Sequence, residues 1–136
     1  MMNIHQSLQR ILEAKDQLAS MFYEHFLTQY PEYRPLFDRV DFSRQQVLLT
    51  TTLMIVERFD SSPSPAVEQY LQYLGTKHHQ LEIPRFAFDQ WIEAMLTTMQ
   101  RFHGDDWSED LAQQWRAAIE NARDRMFQGY EERMTV

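Results

Sequence analysis

The sequence predicts an all-α domain of about six to seven helices, and three observations support this. The chain has only 3 glycines and 5 prolines in 136 residues, so it has few of the breakers that a strand-rich fold needs. Apolar residues recur at helical spacing along most of its length. The one breaker-rich stretch, residues 60–65, is too short to be a linker. Residues 1–136 are therefore expected to form a single domain.

Composition and charge exclude several classes of function. The chain has no cysteine, which excludes disulfides, thiolate metal sites and covalent cofactor attachment through a C-x-x-C-H motif. The net charge is -7 and the 13 basic residues are scattered, so no nucleic-acid or anionic membrane partner is expected. No apolar run is long enough to cross a membrane, and residues 1–10 show no basic segment followed by an apolar run, so we expect no signal peptide. We expect a cytoplasmic protein.

The first half of the chain shows two helical stripes separated by prolines. Pro31 and Pro35 end the first stripe and predict an irregular connection after it. Leu49, Leu53 and Val56 form the second stripe. The members of the first are Leu18, Met21, Phe22, His25 and Phe26.

The next helix carries a histidine at the end of its apolar face. Val67, Leu71, Leu74 and His78 stand at helical spacing. Residues 64–65, a serine and a proline, are a suitable N-cap and first helical residue.

Two further helices are predicted after Pro84. One has Phe88 on its apolar face and closes at Gly104, and the other is capped by Ser108. The sequence predicts that these are the two longest helices and that they pack antiparallel.

His78 is the first candidate for chemistry. A histidine on an apolar helix face is more often a core residue than a ligand. Here, however, the helix ends just after it, and 9 Phe, 6 Tyr and 8 Met are available to line an apolar slot. A haem needs such a slot and one axial imidazole.

Two segments then resemble bacterial single-domain globins and the globin domain of flavohaemoglobins. YLQYLGTKH at residues 70–78, followed by Ile83, is similar to the proximal stretch of these proteins, in which a Leu-Gly-x-x-His run supplies the iron ligand. Phe22 and Tyr23, then YPEYRPLF at residues 30–37, resemble their distal side. WRAA at residues 115–118 is similar to their C-terminal hairpin, so the resemblance covers nearly the whole chain.

The resemblance implies a globin fold around a pocket for haem b. It makes His78 the proximal iron ligand, Phe37 the aromatic residue on the haem face and Tyr23 the distal hydroxyl. The other distal group falls at Gln45 or Gln46. Helical steps from Gln45 reach an apolar face that begins with Leu49, whereas Gln46 leads to Thr50, so spacing favours Gln45.

Further pocket residues are expected on the proximal side. Leu74, Ile83 and Phe88 are expected to line it, and Lys77 is either a propionate partner or an ordinary exposed lysine. His79 lies about 100° around the helix from His78 and is expected to face solvent.

The chain departs from the family pattern at two positions. Phe88 stands where these globins often carry a tyrosine that hydrogen-bonds on the proximal side, and Glu82 stands where a glycine is usual. Without that hydroxyl, we expect His78 to bond a backbone carbonyl near Leu74 and to stay a neutral ligand.

The leading functional hypothesis is reversible binding of O2 and other diatomic ligands, NO and CO, at a pentacoordinate iron, for oxygen transport or storage. Tyr23 and a distal glutamine would stabilise the partial negative charge on the ligand. One alternative is nitric oxide dioxygenation with a separate reductase, with weak peroxidase activity at most. Another is a haem-free sensor or interaction module. The oligomeric state does not follow from the sequence.

Overall fold

The computed structural model describes the backbone of residues 1–135 and the side chains of residues 1–131. Over that range the chain is helical, with two 3-10 segments, Pro31–Phe37 and Gly104–Asp106, and no strand. The α-helices are α1 (Ile4–Glu13), α2 (Lys15–Gln29), α3 (Phe42–Ser61), α4 (Pro65–Gln80), α5 (Phe86–His103) and α6 (Glu109–Thr135). No helix in the described part is long and apolar enough to cross a membrane.

The predicted helix boundaries of the second half are confirmed. Pro65 opens α4, and the Ser64 hydroxyl accepts the backbone N–H of Val67 at 3.4 Å. Gly104 follows the last residue of α5 with a φ of 59°, a conformation that favours glycine. Ser108 accepts the backbone N–H of Leu111 at 3.1 Å and starts α6.

One apolar core joins all six helices. Each of the six α-helices contributes at least one of the largest fully buried side chains of this core. They include Ile11, Leu18, Phe22, Leu53, Leu71, Met95, Met99, Leu111 and Trp115.

Helix α6 packs most closely on α4 rather than on α5, and two glycines explain why. A Cβ atom on Gly75 would lie 1.8 Å from the Met126 carbonyl oxygen, and one on Gly129 would lie 2.2 Å from that of Gln72. Only glycine allows the two backbones to approach so closely. Helix α6 also contacts α5, as predicted, but α4 is its main partner.

The prediction that the two longest helices are C-terminal is wrong. Helix α3 has 20 residues and α5 has 18. The cause is local: no glycine or proline interrupts residues 42–61, so α3 runs until the breaker-rich stretch before α4.

A buried polar network ties α1 to the C-terminal half. The Trp115 indole N–H donates to the Ser7 hydroxyl oxygen at 2.9 Å, and Ser7 Oγ lies 2.6 Å from His103 Nε2. Since the Ser7 oxygen accepts from Trp115, its own hydrogen is free to donate to His103. On the surface beside this network, Arg10 pairs with Asp106.

Candidate functional site

The last turns of α4 orient the imidazole of His78. Its Nδ1 lies 2.7 Å from the backbone carbonyl oxygen of Leu74, one turn earlier. A carbonyl oxygen can only accept, so Nδ1 carries the proton and Nε2 carries the free lone pair. The sequence-based expectation of a bond near Leu74 agrees with this geometry, which leaves Nε2 ready to bind a metal.

The apolar residues predicted to line a pocket with His78 differ in their burial. Leu74, Ile83 and Phe37 are half-buried and pack against the core. The Phe88 ring lies 5.4 Å from the His78 ring and is not displaced from the position expected for it. Leu49 on α3 is buried, with 4% of its surface exposed. Among these residues, the ring contacts of the structure place Phe88 against His78.

The turn after α4 explains why a glycine is usual at the position of Glu82. Glu82 has a φ of 61°, the left-handed conformation in which a glycine is usual. The next residue closes the turn, because the Ile83 N–H donates to the His78 carbonyl at 3.1 Å. The Tyr130 hydroxyl from α6 donates to the Ile83 carbonyl at 2.7 Å.

His79 does not face solvent as expected. Its ring is half-buried and packs edge-on against the Tyr130 ring, with 4.9 Å between the ring centres. The reason is the close approach of α6 to α4, which puts protein where the helical wheel alone suggested water.

The two glutamines near the start of α3 make different contacts. The Gln45 amide donates to the Tyr23 hydroxyl oxygen at 2.9 Å. The Gln46 amide donates to the Ser20 hydroxyl at 3.1 Å. The structure therefore brings Gln45, and not Gln46, to Tyr23.

Tyr23 is enclosed by aromatic rings. Phe37 and Phe42 meet it edge-on at 5.5 Å and 5.7 Å between ring centres. Burial raises the pKa of Tyr23 to about 12, although the hydrogen bond from Gln45 acts in the opposite direction. The hydroxyl therefore stays protonated at neutral pH. Because the Gln45 amide donates to its oxygen, the hydrogen of Tyr23 is left for another acceptor.

Lys77 lies on the exposed side of α4. Its ammonium group sits 5.3 Å from the centre of the Tyr73 ring. This cation–π contact keeps the Lys77 side chain at the surface. The flexible stem of a lysine still allows its ammonium group to change partners.

The other histidines are spread over the molecule. His103 is buried on Ser7, and His5 lies on the surface, 3.7 Å from a Glu57 carboxylate oxygen. Among the described residues, no three His, Asp or Glu side chains come together as a metal cluster.

Tyr130 is the residue near the site that sequence reasoning missed. It contacts His79 and Phe88 and holds the turn that follows α4. A signal was present, because Tyr130 continues the inward stripe of α6 four residues after Met126.

The structure is an all-α fold of six α-helices with a half-buried histidine near the end of α4 and a Tyr23–Gln45 hydrogen bond between α2 and α3. The model of the globin family matches residues 20–126. The chain belongs to the globin family, and the resemblance noted in the sequence is confirmed.

A solved structure shares the fold. It is protein PA3967 from Pseudomonas aeruginosa PAO1, described as structurally highly homologous to a human hemoglobin. The TM-score is 0.78 at 22% identity, and the match covers 94% of this chain and 98% of that one. A search of curated protein sequences found no match.

Proposed function

We propose that this globin binds haem b through His78 and reversibly binds O2 and other diatomic ligands. The observation that carries the proposal is the hydrogen bond from His78 Nδ1 to the Leu74 carbonyl. It fixes the tautomer in which Nε2 is the metal-binding nitrogen, as axial imidazoles of haem proteins require.

The apolar residues predicted to line the pocket would suit a haem. Its porphyrin is flat and apolar, and the half-buried Leu74, Ile83 and Phe37 would be covered by it. Leu49 and Phe88 would complete the apolar walls. With no cysteine in the chain, the haem would be held without a thioether bond, as haem b is.

Lys77 would serve at the edge of this pocket. Its charge would pair with a propionate once the side chain left the Tyr73 ring, a contact of modest strength at an exposed site.

Tyr23 and Gln45 would act on the ligand side. A bound haem supplies the ferrous iron on which a diatomic ligand gains partial negative charge. The protonated hydroxyl of Tyr23 has a hydrogen to donate, and Gln45 orients it. In a water-poor pocket such a donor stabilises developing charge and slows ligand release.

The proximal side favours holding a ligand over activating it. His78 donates to a neutral carbonyl, so it has no carboxylate partner that would make it more anionic. We infer that peroxidase activity is weak. Nitric oxide dioxygenation would need a separate reductase to restore ferrous iron.

The test is addition of hemin to the purified protein, followed by visible spectra before and after dithionite and CO. We expect saturation at about one haem per chain and a ferrous CO adduct typical of an imidazole-bound haem. A protein that takes up no hemin would refute the proposal and favour a haem-free globin-fold module.

A further inference from the structure

We propose that Tyr130 is a positioning residue for His78. Its hydroxyl holds closed a strained helix cap at the end of α4, and this cap keeps the last turn of α4 and its imidazole in place. The inference rests on the proposed function where it concerns haem. The role of Tyr130 in the cap can be measured in the protein without haem.

Two crossed backbone bonds close the end of α4, and His78 takes part in one of them. The Glu82 N–H donates to the His79 carbonyl at 2.9 Å, and the Ile83 N–H reaches back to the His78 carbonyl at 3.1 Å. Helices commonly satisfy their last carbonyl groups in this way. Opening the cap would break the bond to the His78 carbonyl and loosen the last turn of α4.

One residue of this cap is under backbone strain. Glu82 has the left-handed conformation that the crossed bonds require, with a φ of 61°. In this conformation the Cβ atom of any residue other than glycine crowds the backbone. The cap is therefore weaker than the same cap with a glycine, and a further contact is needed more here than at an unstrained turn.

Tyr130 supplies this contact from α6. Its hydroxyl donates to the Ile83 carbonyl at 2.7 Å, so the residue that closes the cap is fixed through both its N–H and its carbonyl. Burial raises the pKa of Tyr130 to about 12, although Arg85 acts in the opposite direction. The hydroxyl therefore stays protonated at neutral pH and can donate.

The ring of Tyr130 makes contacts that do not depend on its hydroxyl. It lies 4.9 Å from the His79 ring and 6.0 Å from the Phe88 ring, between ring centres. Phe88 in turn lies 5.4 Å from the His78 ring. Tyr130→Phe keeps all of these ring contacts and removes only the bond to the cap, so it isolates the hydroxyl.

The first experiment measures amide hydrogen exchange in the apo protein. Tyr130→Phe should speed exchange of the Glu82 and Ile83 amides about two- to tenfold, the range for the loss of one ordinary hydrogen bond. Tyr33→Phe is the matched control, because it removes the hydrogen bond of another buried tyrosine hydroxyl, to Gln90. It should leave the two cap amides unchanged.

Relief of the strain tests the same cap from its other side. Glu82→Gly, added to Tyr130→Phe, should bring the exchange of the Ile83 amide back towards the wild-type rate, because glycine adopts this φ without a Cβ penalty. Glu82→Ala removes the carboxylate but keeps the Cβ atom, so it should restore nothing. Equal restoration by both substitutions would contradict the role of strain.

The haem-loaded protein then tests the positioning of His78. Tyr130→Phe should broaden the ferrous Fe–His stretching band, because the imidazole takes more than one orientation when the last turn of α4 loosens. Hemin loss should become about two- to tenfold faster. Tyr33→Phe should change neither property, and Glu82→Gly in the Tyr130→Phe background should restore both.

Two results would overturn the inference. One is wild-type exchange of the cap amides in Tyr130→Phe. The other is faster exchange with an unchanged Fe–His band and unchanged hemin loss, which would make Tyr130 a structural residue only. A wild type that takes up no hemin would refute the proposed function, and the exchange measurement alone would then decide whether Tyr130 holds the cap.

Discussion

We expect ligand retention to depend on the hydrogen-bonded pair Tyr23 and Gln45. Tyr23→Phe should raise the O2 dissociation rate about tenfold or more, because a hydrogen bond to a charged partner contributes about 1.5 to 3 kcal/mol. Gln45→Leu should have a smaller effect, since it loses the residue that orients the hydroxyl. Stopped-flow measurement of O2 release gives both numbers.

Gln46→Leu is the matched control for this pair, because it removes a neighbouring amide that bonds Ser20 instead. Its O2 equilibrium affinity should equal that of the wild type. An O2 release rate that is indifferent to Tyr23→Phe would show that this hydroxyl does not reach the ligand.

The expectation that His78 is a neutral-imidazole ligand can be tested directly. The Leu74 carbonyl accepts the Nδ1 proton without the charge that a carboxylate would bring. We expect the ferrous Fe–His stretching frequency, read by resonance Raman, to fall in the range of neutral-imidazole globins, together with weak peroxidase turnover. A high-frequency stretch of the peroxidase type would contradict this proximal account.

At the scale of elements, we expect the close contact of α4 with α6 to fix the position of His78. Gly75→Ala would drive a methyl group into the Met126 carbonyl, so the helices must separate. Overpacking of this kind costs about 1 to 3 kcal/mol or more, against a gain of about 1 kcal/mol in helix propensity. We expect lower stability in urea and weaker hemin binding.

Gly104→Ala separates a loss of stability from a loss of hemin affinity. Gly104 has a φ of 59° and no atom near its missing Cβ, so alanine there is strained without disturbing α4. It should lower stability while leaving hemin affinity unchanged. Equal hemin affinity in Gly75→Ala and the wild type would show that α6 does not fix the histidine.

The helices themselves were largely predictable, because apolar spacing and caps such as Ser64 are local signals. Which helices would pack most closely on each other was not predictable. Gly75 belongs to the Leu-Gly-x-x-His run, but only the structure shows that it faces the Met126 backbone. His79 was misplaced for the same reason, since a helical wheel gives a direction and not the neighbour found there. Spacing favoured Gln45, and the contact with Tyr23 agrees with it.

For the whole molecule, the Ser7–His103–Trp115 network links stability to pH. Burial lowers the pKa of His103 below its usual value of 6.5, and Arg10 acts in the same direction against Asp106. Below a pH of 6.5, His103 binds a proton more readily in the unfolded chain than in the folded one. The free energy of unfolding therefore decreases as the pH falls.

His103→Gln tests the link, because glutamine keeps a polar side chain that does not titrate. Urea unfolding at about pH 7.5 and about pH 5.5 should show a smaller loss of unfolding free energy in the variant than in the wild type. His5→Gln, at an exposed position, should lose as much as the wild type. An equal loss in all three proteins would show that His103 does not control the acid response.

The central claim is that His78 Nε2 holds a haem iron, and one titration tests it most directly. Hemin is added to wild type, His78→Gly and His79→Ala, and His78→Gly is then given free imidazole. We expect His78→Gly to lose most of the hemin affinity and to recover it with imidazole, which can occupy the vacated space and supply the axial nitrogen. His79→Ala should still form the imidazole-bound spectrum, since His79 packs on Tyr130. Equal hemin affinity and spectra in wild type and His78→Gly without imidazole would contradict the account.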